Sequence, residues 1–124
     1  MRTVRRDELR ALLDNGSVVL VEALSEDAFA AEHIPGAVNV PGELTADLAA
    51  TAAPEREGTV VVYCSGASCT RSKVTAGAFE RLGYTDVRVY PGGKADWWQA
   101  GLPLVGTRHE AGVARPGLVE VETR

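Results

Sequence analysis

The chain has 124 residues, 45% hydrophobic and 24% charged, a balance ordinary for one globular domain and unlike a disordered, collagenous or disulfide-scaffold sequence. A formal net charge of −4 and a pI near 5.2 argue against a general nucleic-acid binder, which carries a clustered basic surface. No apolar run reaches membrane-spanning length, and the opening MRTVRRDELR leads into no signal-type apolar stretch, so the expected location is the cytoplasm, with no membrane partner.

The segment RRDELRALLDNG sets Leu9, Leu12 and Leu13 on one helical face and stops at Asn15-Gly16, a helix ending. SVVLVEAL follows as a compact β-branched run, the pattern of a strand buried on both faces, as in a parallel sheet. SEDAFAAEH starts on the capping residue Ser25 and reads as a helix; IPGAVNVPG encloses a short strand around Val38 between turn formers. ELTADLAATA is helical, APEREG is a polar connection, and TVVVYC is the strongest strand of the chain. SKVTAGAFERLG predicts a helix ending at Gly83, YTDVRVY another strand, PGG a turn, KADWWQAG a short helix and LPLV an extended exit. The alternation of strand and helix specifies an α/β fold with helices on both sides of a mostly parallel sheet. After Val105 the chain is rich in turn formers and is either a flexible tail or, through LVEVE at 118–122, an edge-pairing segment.

Chemistry concentrates where the strongest strand ends. In a parallel sheet, ligands gather beyond the carboxyl ends of the strands, which is where Cys64 falls. Small residues follow it: Ser65, Gly66, Ala67 and Ser68 allow backbone N–H groups to converge as an anion nest, aided by the helix that begins near Ser72. Such a setting favours a thiolate and any anionic group carried on that sulfur. The alternative for Cys64 is a buried plug at a strand end, a common fate of cysteine. Arg71 is either a binder of an anionic donor or a solvated side chain at a helix start, and Ser72 reads as the helix cap.

Four landmarks in order resemble a single-domain rhodanese, the sulfurtransferase family: HIPGAVNVP, the loop opened by VVVYC, the helix ending LGY, and VRVYPGGKADWWQAGLPL. The resemblance runs from about Val4 to Val105, so the expected organisation is a rhodanese-like domain over 1–105 and a C-terminal extension over 106–124. It implies a three-layer sandwich with a parallel five-stranded central sheet flanked by helices. It also implies that Cys64 takes a sulfane sulfur from a donor such as thiosulfate, becomes a persulfide and passes the sulfur to cyanide, a thiol or a protein acceptor. The loop Ser65, Gly66, Ala67, Ser68, Cys69, Thr70 and Arg71 would then bind substrate and stabilise the persulfide. No cofactor is implied.

Two departures stand out against the family pattern. The family's Asp-x-Arg motif is replaced by Glu22-Ala23-Leu24, so the role of that arginine is expected to be absent. The active loop is longer, with six residues between Cys64 and Arg71, which makes a wider cradle and also misses the Cys-x5-Arg spacing of related phosphatases and arsenate reductases. Cys69 in this loop is either an inert small residue, if loop length keeps the sulfurs apart, or a resolving cysteine that pairs with Cys64. These alternatives leave two rivals to an enzyme of sulfur transfer: a sulfur-carrier or interaction module, and a redox protein cycling a Cys64–Cys69 disulfide. No metal is expected, because one C-x4-C pair lacks further ligands and His33 and His109 stand far off in sequence. His33 reads as a structural residue of its turn, Tyr63 as packing, and Trp97 and Trp98 as core residues, one of them near the mouth of the site.

Overall fold

The computed structural model describes residues 1–109. Five parallel strands form one sheet in the order β1-β5-β4-β2-β3, with β1 at Arg2–Thr3, β2 at Val18–Glu22, β3 at Val38–Asn39, β4 at Thr59–Tyr63 and β5 at Asp86–Tyr90. The helices are α1 (Arg6–Asp14), α2 (Glu26–Ala31), α3 (Ala46–Ala52), α4 (Arg71–Arg81) and α5 (Gly93–Gln99). The two-residue edge strand β1 has no counterpart among the sequence-based expectations. A pair of residues is too short to show a period, and only its pairing with Arg88 and Val89 makes it a strand.

Strand alternation divides the interior into two cores. Val60 and Val62 of β4, with Val21 and Val87, meet Ala49, Ala76 and Phe79 from α3 and α4. Val61 and Tyr63, with Leu20 and Tyr90, meet Leu9 of α1, Ile34 and Trp97 of α5. Both faces are therefore dry, which is why β2 and β4 read as unbroken apolar runs. The layers are helix, sheet, helix.

Local chemistry sets the element ends. Ser25 Oγ accepts from Ala28 N–H and Thr45 Oγ1 from Leu48 N–H, capping α2 and α3. The hydroxyl of Tyr84 lies 2.5 Å from Ala53 O and 3.0 Å from Ala49 O, answering carbonyls at the end of α3. His33 and Val105 exchange backbone bonds of 2.8 and 2.9 Å in an isolated antiparallel bridge, and the chain then makes a 3-10 turn at Thr107–His109. That turn rests on Glu32, which meets Arg108 Nη1 at 3.4 Å and His109 Nε2 at 2.9 Å. The edge-pairing segment expected at 118–122 lies outside the described residues.

Candidate active site

Cys64 follows β4, the middle strand of the sheet, and is 2% exposed. The loop of residues 65–70 carries the chain into α4, whose N-terminus faces back toward the strand end. The loop brings Cys64 and Cys69 together as a disulfide, with their Cα atoms 6.4 Å apart. Of the two alternatives for Cys69, loop length therefore does not keep the sulfurs apart. Cys69 N–H bonds to Gly66 O at 3.1 Å, which curls the loop back on itself and turns Cys69 toward the strand end. Sequence spacing specifies how far the chain runs from Cys64 to Cys69, and this turn specifies where it goes.

The same bond changes the expected anion nest, because the Cys69 N–H is committed to Gly66. Ser65, Ala67, Ser68 and Thr70 are exposed, and Gly66 and Cys69 are partly buried. Ser72 is not the helix cap: that position belongs to Thr70, and Ser72 is a buried residue of the first turn. Its Oγ lies 3.4 Å from Cys64 Sγ. A disulfide sulfur carries no hydrogen, so the hydroxyl is the donor. Ser72 is thus a polar side chain in contact with the Cys64 sulfur.

Arg71 is exposed, but its guanidinium does not lie idle in solvent: Nη2 donates to Pro41 O at 2.7 Å, across to the segment after β3. It ties the start of α4 to that segment. The guanidinium beside the loop comes instead from Arg108, which shares with Leu24, Ala28, Glu32, Ser65 and Trp98 the wall of a cleft of about 480 Å³. Ser65, which follows Cys64 in the chain, is the loop residue on this wall.

A buried pair that the sequence does not anticipate joins the end of β2 to the start of α5. Glu22, at the end of β2, is fully buried; its Oε1 accepts from Tyr63 Oη at 2.7 Å and its Oε2 pairs with Lys94 Nζ at 3.0 Å. Lys94 is itself 7% exposed and also donates to Ala28 O and Glu32 O, the carbonyls at the end of α2. Burial raises the Glu22 carboxyl above its ordinary value, against the lowering effect of the Tyr63 and Lys94 bonds. Burial and the neighbouring Glu22 charge likewise push the Tyr63 hydroxyl up, so it stays protonated and relays a bond from Ile34 N–H, which it accepts at 3.0 Å. Where the Asp-x-Arg pattern has its arginine this chain has Leu24, and the buried cation near the loop is Lys94 from α5. The turn at 22–24 is held by Asn39, whose Nδ2 donates to Glu22 O and Leu24 O.

Lys94 also couples to the loop through its backbone. Its N–H donates to Cys64 O at 3.0 Å and the Ala95 N–H to Ser65 O at 2.9 Å, so the first turn of α5 fixes the carbonyls of Cys64 and Ser65. Gly93 makes this approach possible: at φ +61° it is left-handed, and a Cβ there would sit 2.4 Å from Cys64 O. Trp97 is core, with Nε1 donating to Pro103 O at 2.9 Å, whereas Trp98 lines the cleft with its ring 5.1 Å from His109. His33 stacks on Phe29 with centroids 3.9 Å apart, and its Nδ1 lies 2.7 Å from Phe29 O. No group of three or more His, Cys, Asp or Glu suited to a metal ion occurs among the described residues. No helix among them is long and apolar enough to cross a membrane.

The rhodanese-like domain model matches residues 5–100. The chain belongs to that family. A thiosulfate sulfurtransferase from Pseudomonas aeruginosa superposes on this rhodanese-like domain with a TM-score of 0.69 at 27% identity, covering 86% of this chain and 20% of that one. The human single-domain sulfurtransferase TSTD1 gives a TM-score of 0.67 at 30% identity, over 80% of this chain and 96% of that one. Among curated relatives, the HTH-type transcriptional regulator Rv0324 of Mycobacterium tuberculosis is 34% identical over 82% of this chain, and the uncharacterized protein YibN of Escherichia coli K12 is 29% identical over 85%. The rhodanese-like chain spans 43% of the length of the former and 73% of the latter.

Proposed function

We propose that this chain is a sulfurtransferase in which reduced Cys64 attacks the sulfane sulfur of a small donor, holds it as a persulfide and yields it to a thiophilic acceptor. The observation that supports this reading is the setting of Cys64 Sγ: it ends the middle strand, faces the start of α4, and has the Ser72 hydroxyl at 3.4 Å. A thiolate and a persulfide are both anions at sulfur, and the hydroxyl and helix start favour both over the neutral thiol. With thiosulfate as donor, the Cys64 thiolate forms a new S–S bond to the outer sulfur, the S–S bond of thiosulfate breaks, and sulfite departs with the electron pair.

The cleft beside Ser65 is the entry for donor and acceptor, and an anionic group would compete there with Glu32 for the guanidinium of Arg108, a part the sequence offered to Arg71. Its other walls, Leu24, Leu104 and Trp98, suit a donor or acceptor with an organic body, such as a persulfide or thiol of low molecular weight. A protein acceptor would reach the same mouth. Because the Cys64–Cys69 pair must start as thiols, the cycle belongs in a reducing compartment such as the cytoplasm.

Intact mass after reduction, removal of reductant and incubation with thiosulfate tests the reading. A sulfur should be taken up with release of sulfite, and Cys64→Ser should take up none. Undiminished transfer by Cys64→Ser would overturn the assignment.

A further inference from the structure

We infer that the Cys64–Cys69 pair gives this site a second outlet, in which Cys69 expels the bound sulfur as sulfide. The inference rests on the persulfide reading above and adds a product to it. The loop carries Cys69 Sγ to bonding contact with Cys64 Sγ, with a Cα separation of 6.4 Å that lies within the ordinary range for such a bond. A cysteine placed so is within reach of any persulfide formed on Cys64.

The Cys69 thiolate attacks Cys64 Sγ, the inner sulfur of Cys64–S–S⁻. The bond from Sγ to the terminal sulfur breaks, the terminal sulfur leaves with the electron pair and takes one proton, and the products are HS⁻ and the Cys64–Cys69 disulfide. The sulfane sulfur is reduced and the Cys69 thiolate is oxidised. An external dithiol then restores both thiols and becomes a disulfide itself.

The burial of the two residues gives this return step a direction. Cys64 is 2% exposed while Cys69 is only partly buried, so an incoming thiolate meets Cys69 first and Cys64 is the leaving sulfur. The Ser72 hydroxyl at 3.4 Å supports Cys64 as it departs as thiolate. Reduction thus returns the sulfur that must attack the next donor. Attack by Cys69 on the terminal sulfur would only move the persulfide along the loop and release nothing, so sulfide is the diagnostic product.

The test is a single turnover without added thiol, on the full chain, as wild type, Cys69→Ser and Cys69→Ala. Each is reduced, freed of reductant and given thiosulfate; sulfite, sulfide and intact mass are then followed. The wild type should release sulfite and near-stoichiometric sulfide and end two hydrogens lighter than the reduced chain. The two variants should release sulfite, hold the extra sulfur and lose sulfide release. A wild type that retains its persulfide as the variants do overturns the outlet and leaves the transfer reading standing. Failure of all three to take up sulfur or release sulfite overturns both. Agreement of the Ser and Ala variants, with unchanged thermal unfolding of their reduced forms, separates the chemistry from a folding defect.

Discussion

At the scale of single residues, the least legible feature is the Glu22–Lys94 pair. Glu22 ends an apolar strand and Lys94 follows a glycine turn at the start of a short helix, far apart in the chain, and neither a period nor a local motif joins them. The fold makes them neighbours, and their burial makes the pairing compulsory. Lys94→Met should leave Glu22 buried with Tyr63 as its remaining side-chain bond and cost about 3–5 kcal/mol at neutral pH, as expected when a buried pair loses one member. The sign of the pH dependence follows from the raised carboxyl: the folded protein holds the Glu22 proton more tightly than the unfolded chain. Its contribution is fully present below the ordinary carboxylate value of 4.5 and is lost as pH rises through the folded one. Without Lys94 the carboxyl rises further, so the deficit of Lys94→Met relative to wild type should shrink toward acid pH. Urea unfolding of both proteins at mildly acid and mildly alkaline pH checks this, and an equal deficit at the two would show that lost packing, not the stranded charge, dominates.

At the scale of elements, the central strands, α1 and α4 were legible because burial on both faces and helical spacing are properties of neighbouring residues. Their layering was legible through the alternation of strand and helix. The path of the Cys64–Cys69 loop was not, because it depends on the turn at Gly66 and on the seating of α5 against the strand end. PGGK reads from sequence as a turn; its contact with the Cys64–Cys69 loop is tertiary. Gly93→Ala tests that contact. The added methyl would meet Cys64 O at 2.4 Å and Gly66 N at 2.8 Å in a left-handed backbone, so α5 must retreat or the loop must shift. Strain alone should cost roughly 1–3 kcal/mol. Sulfur uptake should fall more than the thermal shift implies, because the displaced groups carry the Cys64 and Ser65 carbonyls. Uptake at the wild-type rate in a folded Gly93→Ala chain would mean that α5 does not position the loop.

At the scale of the whole molecule, the fold gathers its chemistry at one end of the sheet and leaves stability to the two cores, so the redox state of the loop should touch stability lightly. Phe79, Leu9, Tyr63 and Tyr90 are buried in the cores on the two sides of the sheet, and none of them is a residue of the loop. The disulfide closes a short loop between residues five apart in sequence, and little chain entropy is removed from the unfolded state by so small a ring. Chain entropy for a ring of about six residues amounts to about 2 kcal/mol, or roughly 6–10 °C in melting temperature for a domain of this size. A bond of that worth can open in each cycle without threatening the fold. Calorimetry of the oxidised and dithiol-reduced chain measures the difference directly. A modest gap, with Cys69→Ser melting like the reduced wild type, fits a bond made and broken in turnover. Collapse of the reduced chain into an unfolded ensemble would instead make the pair a structural staple, and a staple cannot serve as the outlet proposed for it.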